Sequence, residues 1–399
     1  MYNHPAMTRR ALLAGAALGG AGLAAAADGN VRAIKVTSIE YFPLVVKPDR
    51  YGWLIVRVHT DAGLSGLGDA SESGRGDPAI AKIEEYSEWW KGRSIFDIEL
   101  FRQMAYSQRK GRGRNVACAF SGIEQALYDI QAQAFGVPMH ALFGGKLHES
   151  VRNYANINRG SKSRTPGGFE PTARSAADAG FDAVKVAPFD GMPKAAAAIR
   201  ARTDEGIASI KLMREIFGHD GDVLVEGHGN FNLERGLAVL PRMEPFNVFW
   251  FEEAIRSLDD MAELRQATEI PIAGGEGLFG IEQALEYLRI GAVDILMPDI
   301  KWCAGALELK KIAAMCEGAD VAVAPHGPMG PIGSMAAAQV CCTLPNFSIL
   351  EYAHGDAPWR FELTDPPEPL ERGGMLRIPD TPGLGYKLNM KTVERRRAA

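Results

Sequence analysis

The chain has 399 residues, 46% hydrophobic and 23% charged, the balance of a globular protein with material for more than one core. Its 44 Lys+Arg against 49 Asp+Glu leave a net charge of −5, which excludes the overall cationic field of a nucleic-acid binder. Beyond the signal-like first residues no apolar run approaches the roughly 20 residues that span a bilayer. A membrane-spanning mature chain, a disordered chain and a disulfide miniprotein are therefore set aside. A large enzyme or binding protein of mixed class remains.

Thr8-Arg9-Arg10 precedes Ala11 to Ala27, a stretch of only Ala, Leu and Gly. An arginine pair, a weakly apolar uncharged segment and a small-residue end read as a twin-arginine export signal over residues 1–27. An Ala-rich first helix is the alternative, weakened by four glycines that each cost about 1 kcal/mol against Ala. A periplasmic or otherwise exported location is the expectation. The five cysteines (Cys118, Cys303, Cys316, Cys341, Cys342) show no CxxC spacing, so neither a disulfide framework nor a cysteine zinc site is expected.

Next, Ile34 to Glu40 and Trp53 to Thr60 alternate as strands, and Leu64 to Asp69 follows the Asp61-Ala62-Gly63 turn as a third. Residues 78–134 turn helical, most clearly over Ile123 to Ile130. Strands followed by helices predict an α+β unit over residues 28–150. From residue 151 to 354 short apolar strands alternate with helices. The strands are predicted at Asn153–Ile157, Ala183–Val186, Val223–Val225, Val248–Phe251, Ile272–Gly274, Ile295–Met297, Val321–Ala324 and Ile349–Leu350. Eight strands over about 200 residues is the count of a (β/α)8-type barrel in an α/β domain.

What stands at the strand ends carries the chemistry. Lys185 lies in strand two, and Glu226, Glu252, Glu276, Asp299, His326 and Glu351 close the following six. From Glu226 onward the steps are 26, 24, 23, 27 and 25 residues, one βα unit each. In a barrel this gathers all of them at one mouth. Carboxylates converging there require a cation, and an all-oxygen set suits Mg²⁺. Single acids at strand ends are commonly just solvated; a series with one period is not. Asp299 beside His326 makes a general base, because the carboxylate fixes one imidazole nitrogen and leaves the other to take a proton. His228, two residues past Glu226, faces the same mouth as a catalytic acid or a substrate-binding histidine.

These residues resemble the enolase superfamily, in its mandelate racemase/muconate lactonizing enzyme-like branch. The cap motifs are Gly63-Leu64-Ser65-Gly66-Leu67-Gly68-Asp69, Ile123-Glu124-Gln125-Ala126-Leu127-Tyr128-Asp129 and Leu142-Phe143-Gly144-Gly145-Lys146. The barrel motifs are Trp250-Phe251-Glu252-Glu253, Gly275-Glu276, Met297-Pro298-Asp299 and Ala324-Pro325-His326. The resemblance implies a modified (β/α)7β TIM-type barrel with an α+β capping domain completed by residues 355–399. It also implies Mg²⁺ held by Glu226, Glu252 and Glu276, with Glu253 as a neighbour, and a homo-oligomer.

Departures narrow the chemistry. Many members carry Lys-x-Lys on strand two; here Lys185-Val186-Ala187 keeps only the first lysine. Racemisation needs a base on each face of the α-carbon, so it is disfavoured. Glu226-Gly227-His228 is similar to the Asp-x-His segment of galactonate dehydratase-type members, in which the histidine protonates the departing hydroxyl. The expected reaction is Mg²⁺-dependent dehydration of an acid sugar, a small carboxylate of the aldonate or aldarate type. His326 with Asp299 would take the α-proton, and His228, or His326 once it holds that proton, would protonate the leaving 3-hydroxyl. Lys185, together with a protonated Glu351, would hydrogen-bond the substrate carboxylate. A racemase, epimerase or cycloisomerase on the same scaffold, and an exported carboxylate binder without catalysis, are the competing readings. Capping loops around Lys47–Trp53 and Ser71–Arg75 are expected to set specificity.

Overall fold

The computed structural model describes residues 34–47, 51–72, 77–107 and 113–398. The twin-arginine segment lies outside them, as do residues 48–50 and 73–75 of the two capping loops.

The chain opens with an antiparallel sheet of β1 (Val36–Lys47), β2 (Tyr51–Thr60) and β3 (Ser65–Asp69), in that order. The first strand runs past its expected end at Glu40. Proline cannot donate to a ladder, but β1 is an edge strand, where the donor missing at Pro43 does no harm. Pairing persists through Pro43 opposite Leu54 to Lys47 opposite Tyr51. The stretch expected as loop before Trp53 is therefore strand at residues 41–47 and 51–52.

Helices Asp77–Trp90, Ile98–Ser107 and Gly113–Phe135 cover this sheet. Val56, Ile83, Tyr86, Trp90, Phe101, Phe120 and Ile123 form its buried core. The long helix docks on β3 backbone to backbone. A Cβ on Gly66 would lie 2.1 Å from the Ala126 carbonyl oxygen, and one on Gly68 would lie 1.9 Å from that of Gly122. The same helix ties the unit to the rest of the chain. Glu124 accepts the Ala306 and Leu307 N–H groups, capping the helix Ala306–Gly318. Asp129 accepts those of Leu67 and Leu384.

The second unit holds eight parallel strands: β4 (Ser150–Asn156), β5 (Ala183–Val186), β6 (Asp222–Glu226), β7 (Val248–Glu252), β8 (Ile272–Gly274), β9 (Ile295–Leu296), β10 (Ala322–Val323) and β11 (Leu350–Ala353). They pair in sequence from β4 to β10, and β11 pairs with β4. A parallel bridge from Val323 to Phe347, with the Ser348 N–H donating to the Val323 carbonyl, closes the ring. Seven helices alternate with the eight strands among the described residues, giving a (β/α)7β barrel under an α+β cap. Six of the eight strand predictions shift by one to three residues at an end, and Ala183–Val186 and Ile272–Gly274 match at both bounds. The ninth ends before Met297, and β11 extends to Ala353, so Glu351 lies inside its strand rather than after it.

Leu224, Trp250, Met297 and Ile349 fill the barrel floor, where Tyr154 meets Trp250 edge to face at 5.4 Å. The tail serves both units. Its strand Met375–Arg377 pairs with β4, while Arg397 bridges to Leu44 of β1. All five cysteines are buried and free. No described helix is long and apolar enough to cross a membrane.

Candidate active site

A side chain at the carboxyl end of a parallel strand projects to the rim of its barrel. Glu226 and Glu252 are the last residues of β6 and β7 and pair directly in register. Glu276 follows β8 by two residues. One carboxylate oxygen from each lies within 4.8 Å of the others. Oε2 of Glu226 is buried without a hydrogen-bond partner. Burial and the Glu276 charge push the Glu226 carboxyl up to about 8 despite Lys185 nearby, so this single ammonium does not balance the cluster's carboxylates. Three hard oxygen donors, one of them orphaned, fit a divalent cation such as Mg²⁺, and enolase-superfamily members typically bind Mg²⁺. Glu253 stands apart from this group. Its Oε1 accepts the Gly275 N–H at 2.7 Å, and its φ of 44° turns it away from its neighbour.

Lys185, at the third position of β5, is buried among carboxylates. Its Nζ lies 2.7 Å from Glu252, 3.1 Å from Glu351 and 3.5 Å from Glu226. Burial opposes its charge, but these anions outweigh that and hold the ammonium well above its ordinary pKa. Ala187, where the second lysine of the Lys-x-Lys pattern would stand, is fully buried and donates its N–H to Asn158.

His326 leans on Asp299 through Nδ1 at 2.8 Å. Its Nε2 faces Glu276 at 3.2 Å and Glu351 at 3.5 Å. Burial would lower the imidazole pKa, yet Glu351, Glu276 and Asp299 raise it. Such an imidazole has one nitrogen fixed and one directed at the glutamate cluster, the geometry of a general base.

Glu351 behaves differently from its expected role. Its oxygens accept from Asn156 Nδ2 and from the Gly327 N–H at 2.7 Å. Burial favours its neutral form, but the Lys185 and His326 charges and these donors hold the carboxyl well below the usual range. An ionised acceptor has no proton to offer a substrate carboxylate. Glu351 instead locks Lys185 and the His326 segment together.

His228 stands at the opposite end of the triad. Its backbone N–H donates to Glu226 Oε1 at 2.9 Å, and its Nε2 is 3.8 Å from Glu226 Oε2. Its Nδ1 contacts Asp190, which also pairs with Arg164. Burial alone would lower the His228 pKa; Asp190 more than offsets it.

Several side chains here were not singled out from sequence. Lys301 lies 2.8 Å from Asp299, and its place two residues after a strand-end acid was a usable signal. Trp302 stacks on His326 at 4.9 Å, and Arg114 of the cap lies 3.9 Å over Trp302. Asp190 offered no signal, because its link to His228 crosses two loops. Of the capping loops, Lys47 Nζ donates to the Arg159 carbonyl, and Trp53 packs on Trp359 at 4.9 Å.

Comparison with known proteins agrees with this architecture. Residues 169–392 match the family described as enolase C-terminal domain-like. Residues 47–144 match the mandelate racemase/muconate lactonizing enzyme N-terminal domain. The D-xylonate dehydratase of Haloferax volcanii is 31% identical over 379 residues, covering 92% of this chain and 90% of that protein. A D-galactonate dehydratase of Ralstonia pickettii is 29% identical over 369 residues, covering 90% and 94%. The crystal structure of a putative dehydratase from Salmonella enterica serovar Typhimurium superposes with a TM-score of 0.82 at 29% identity, covering 92% of this chain and 99% of that one. The chain belongs to the enolase superfamily, in its mandelate racemase/muconate lactonizing enzyme-like branch, and is a hydro-lyase of the dehydratase class.

Proposed function

We propose that the protein dehydrates an acid sugar of the aldonate or aldarate type to a 2-keto-3-deoxy acid, with Mg²⁺ held by Glu226, Glu252 and Glu276. The observation that carries this reading is His326, fixed by Asp299 at Nδ1 and directing Nε2 at Glu276. When bound, Mg²⁺ supplies Lewis-acid polarisation of the substrate carboxylate and so acidifies the α-proton.

His326 Nε2 takes the α-proton, and Asp299 compensates the charge gained by the ring. Lys185, charged and buried, stabilises the negative charge that develops on the substrate carboxylate. Glu351 keeps that ammonium in place. His228 Nε2 then delivers a proton to the departing 3-hydroxyl, and the enol tautomerises to the keto acid. Ala187 offers no base on the second face, which favours elimination over racemisation. Arg114 and Trp302, at the cap–barrel seam, line the mouth beside Glu276 and His326. Export by the twin-arginine route and assembly as a homo-oligomer belong to the same reading.

The test is an assay for 2-keto acid formation with the purified chain, Mg²⁺ and a panel containing D-xylonate, D-galactonate and hexarates. At least one acid is expected to yield a 2-keto-3-deoxy product. A panel that is epimerised or cyclised without loss of water would overturn the reading.

A further inference from the structure

The barrel mouth contains a second histidine–carboxylate pair, on the far side of the glutamate triad from the first. His228 Nδ1 lies 2.5 Å from Oδ1 of Asp190. The other oxygen of Asp190 is 2.9 Å from Arg164 Nε. At the base pair the arrangement repeats: His326 Nδ1 and Lys301 Nζ both meet Asp299. Each histidine thus has an aspartate behind it, and each aspartate has a buried or half-buried cation behind it. Each Nε2 faces a different glutamate of the triad, Glu226 for His228 and Glu276 for His326.

We propose that Asp190 is a positioning residue for His228, and that His228–Asp190–Arg164 forms a relay separate from His326–Asp299–Lys301, serving only the elimination step. The inference rests on the dehydratase reading, in which His228 protonates the leaving hydroxyl.

Three features support a built arrangement rather than a chance surface contact. First, Asp190 is fixed at both ends. Arg202, from the helix Ala196–Phe217, donates to its carbonyl oxygen at 3.0 Å and to that of Arg164 at 2.9 Å, while Arg164 Nη1 also donates to the Asn158 carbonyl at 2.7 Å. Second, His228 has a φ of 47°, a left-handed conformation that a non-glycine residue keeps only where its surroundings hold it. The Glu226 carboxylate on its N–H and the Asp190 carboxylate on its ring supply that hold. Third, an imidazole whose Nδ1 donates to a carboxylate presents Nε2 in one ring plane. Here that nitrogen is the one facing the triad, so the carboxylate decides which atom meets the substrate. Nothing in this relay touches His326, which separates the two halves of the reaction between two independent pairs.

The experiment uses the full chain with Mg²⁺ in deuterated water, and as probe whichever of D-xylonate and D-galactonate the wild type dehydrates. Asp190→Asn should slow keto-acid formation on the order of 100-fold, while deuterium still enters C2 of recovered substrate, as in His228→Asn. The double variant Asp190→Asn/His228→Asn should be no slower than His228→Asn alone. Turnover within threefold of wild type in Asp190→Asn, joint loss of exchange and elimination, or a further large fall in the double variant would each overturn the proposal. If His228→Asn itself eliminates normally, the acid assignment fails instead, and the inference falls with it.

A substrate-free readout keeps the two failures apart. With ¹⁵N-histidine-labelled protein, the His228 ring signals, identified by their loss in His228→Asn, should show a hydrogen-bonded Nδ1–H that disappears in Asp190→Asn. An unchanged ring signal overturns the pairing whichever acid is the substrate. Should Asp190→Asn not fold, Arg164→Gln, which strips the carboxylate of its second partner, should shift the same signals and the same partition.

Discussion

Lys301 Nζ lies 2.8 Å from Asp299 Oδ2, the oxygen that also receives Nδ1 of His326. Both Lys301 and Asp299 are buried. Removing the lysine breaks a buried ion pair and leaves the carboxylate to His326, so Lys301→Met is expected to cost about 3 kcal/mol in urea unfolding near neutral pH. Burial would raise the Asp299 pKa, but Lys301 and His326 outweigh it and hold it below its ordinary value. A depressed carboxyl contributes stability that is present above its unfolded pKa of about 4 and lost as pH falls through the folded value. The gap between wild type and Lys301→Met should therefore be full at neutral pH and close in acid. A gap that widens in acid would contradict this.

Gly68→Ala tests the seat of the cap. Its Cβ would lie 1.9 Å from a backbone oxygen of the helix Gly113–Phe135, so strand and helix must part. A loss of roughly 3 kcal/mol or more is expected, measured as a lowered urea midpoint. A variant as stable as wild type would mean the two backbones are not pressed together.

The thiols offer a test of burial. Burial pushes Cys316 and Cys342 up to about 12 and the other three well above the usual thiol value. A thiol-specific reagent at pH 8 should label none of the five in the native protein and all five in denaturant. Rapid native labelling of any one would contradict its placement.

Chelation should expose the cost of the crowded triad. Removing divalent ions is expected to lower Tm, and restoring Mg²⁺ at about 100 times its Kd should return about 2.7 kcal/mol. Glu226→Gln should blunt that response. A Tm indifferent to both chelator and Mg²⁺ would count against a metal at this site.

Much of this site was legible in the chain, for a physical reason. Glu226, Glu252, Glu276, Asp299 and His326 stand at or just past the ends of successive parallel strands, so one βα period brings them to one mouth. Periodicity speaks only for such positions. Asp190 and Arg164 sit on connections whose paths depend on packing, and their link to His228 has no spacing to read. Glu351 was visible as a residue, but its ionised state follows from Lys185, Gly327 and Asn156, which only the fold assembles around it. Gly66 and Gly68 were visible as a motif, while their cause, a helix pressed against a strand backbone, was not. The continuation of β1 past Glu40 to Lys47 was not visible, because it depends on pairing with β2.

Deuterium exchange at C2 tests most directly the claim that His326 is the base that takes the α-proton. With a dehydrated acid sugar in deuterated water, His326→Asn should show neither exchange into recovered substrate nor keto acid. His228→Asn should show exchange without keto acid. Exchange that survives in His326→Asn would contradict the assignment and place the base elsewhere in the mouth.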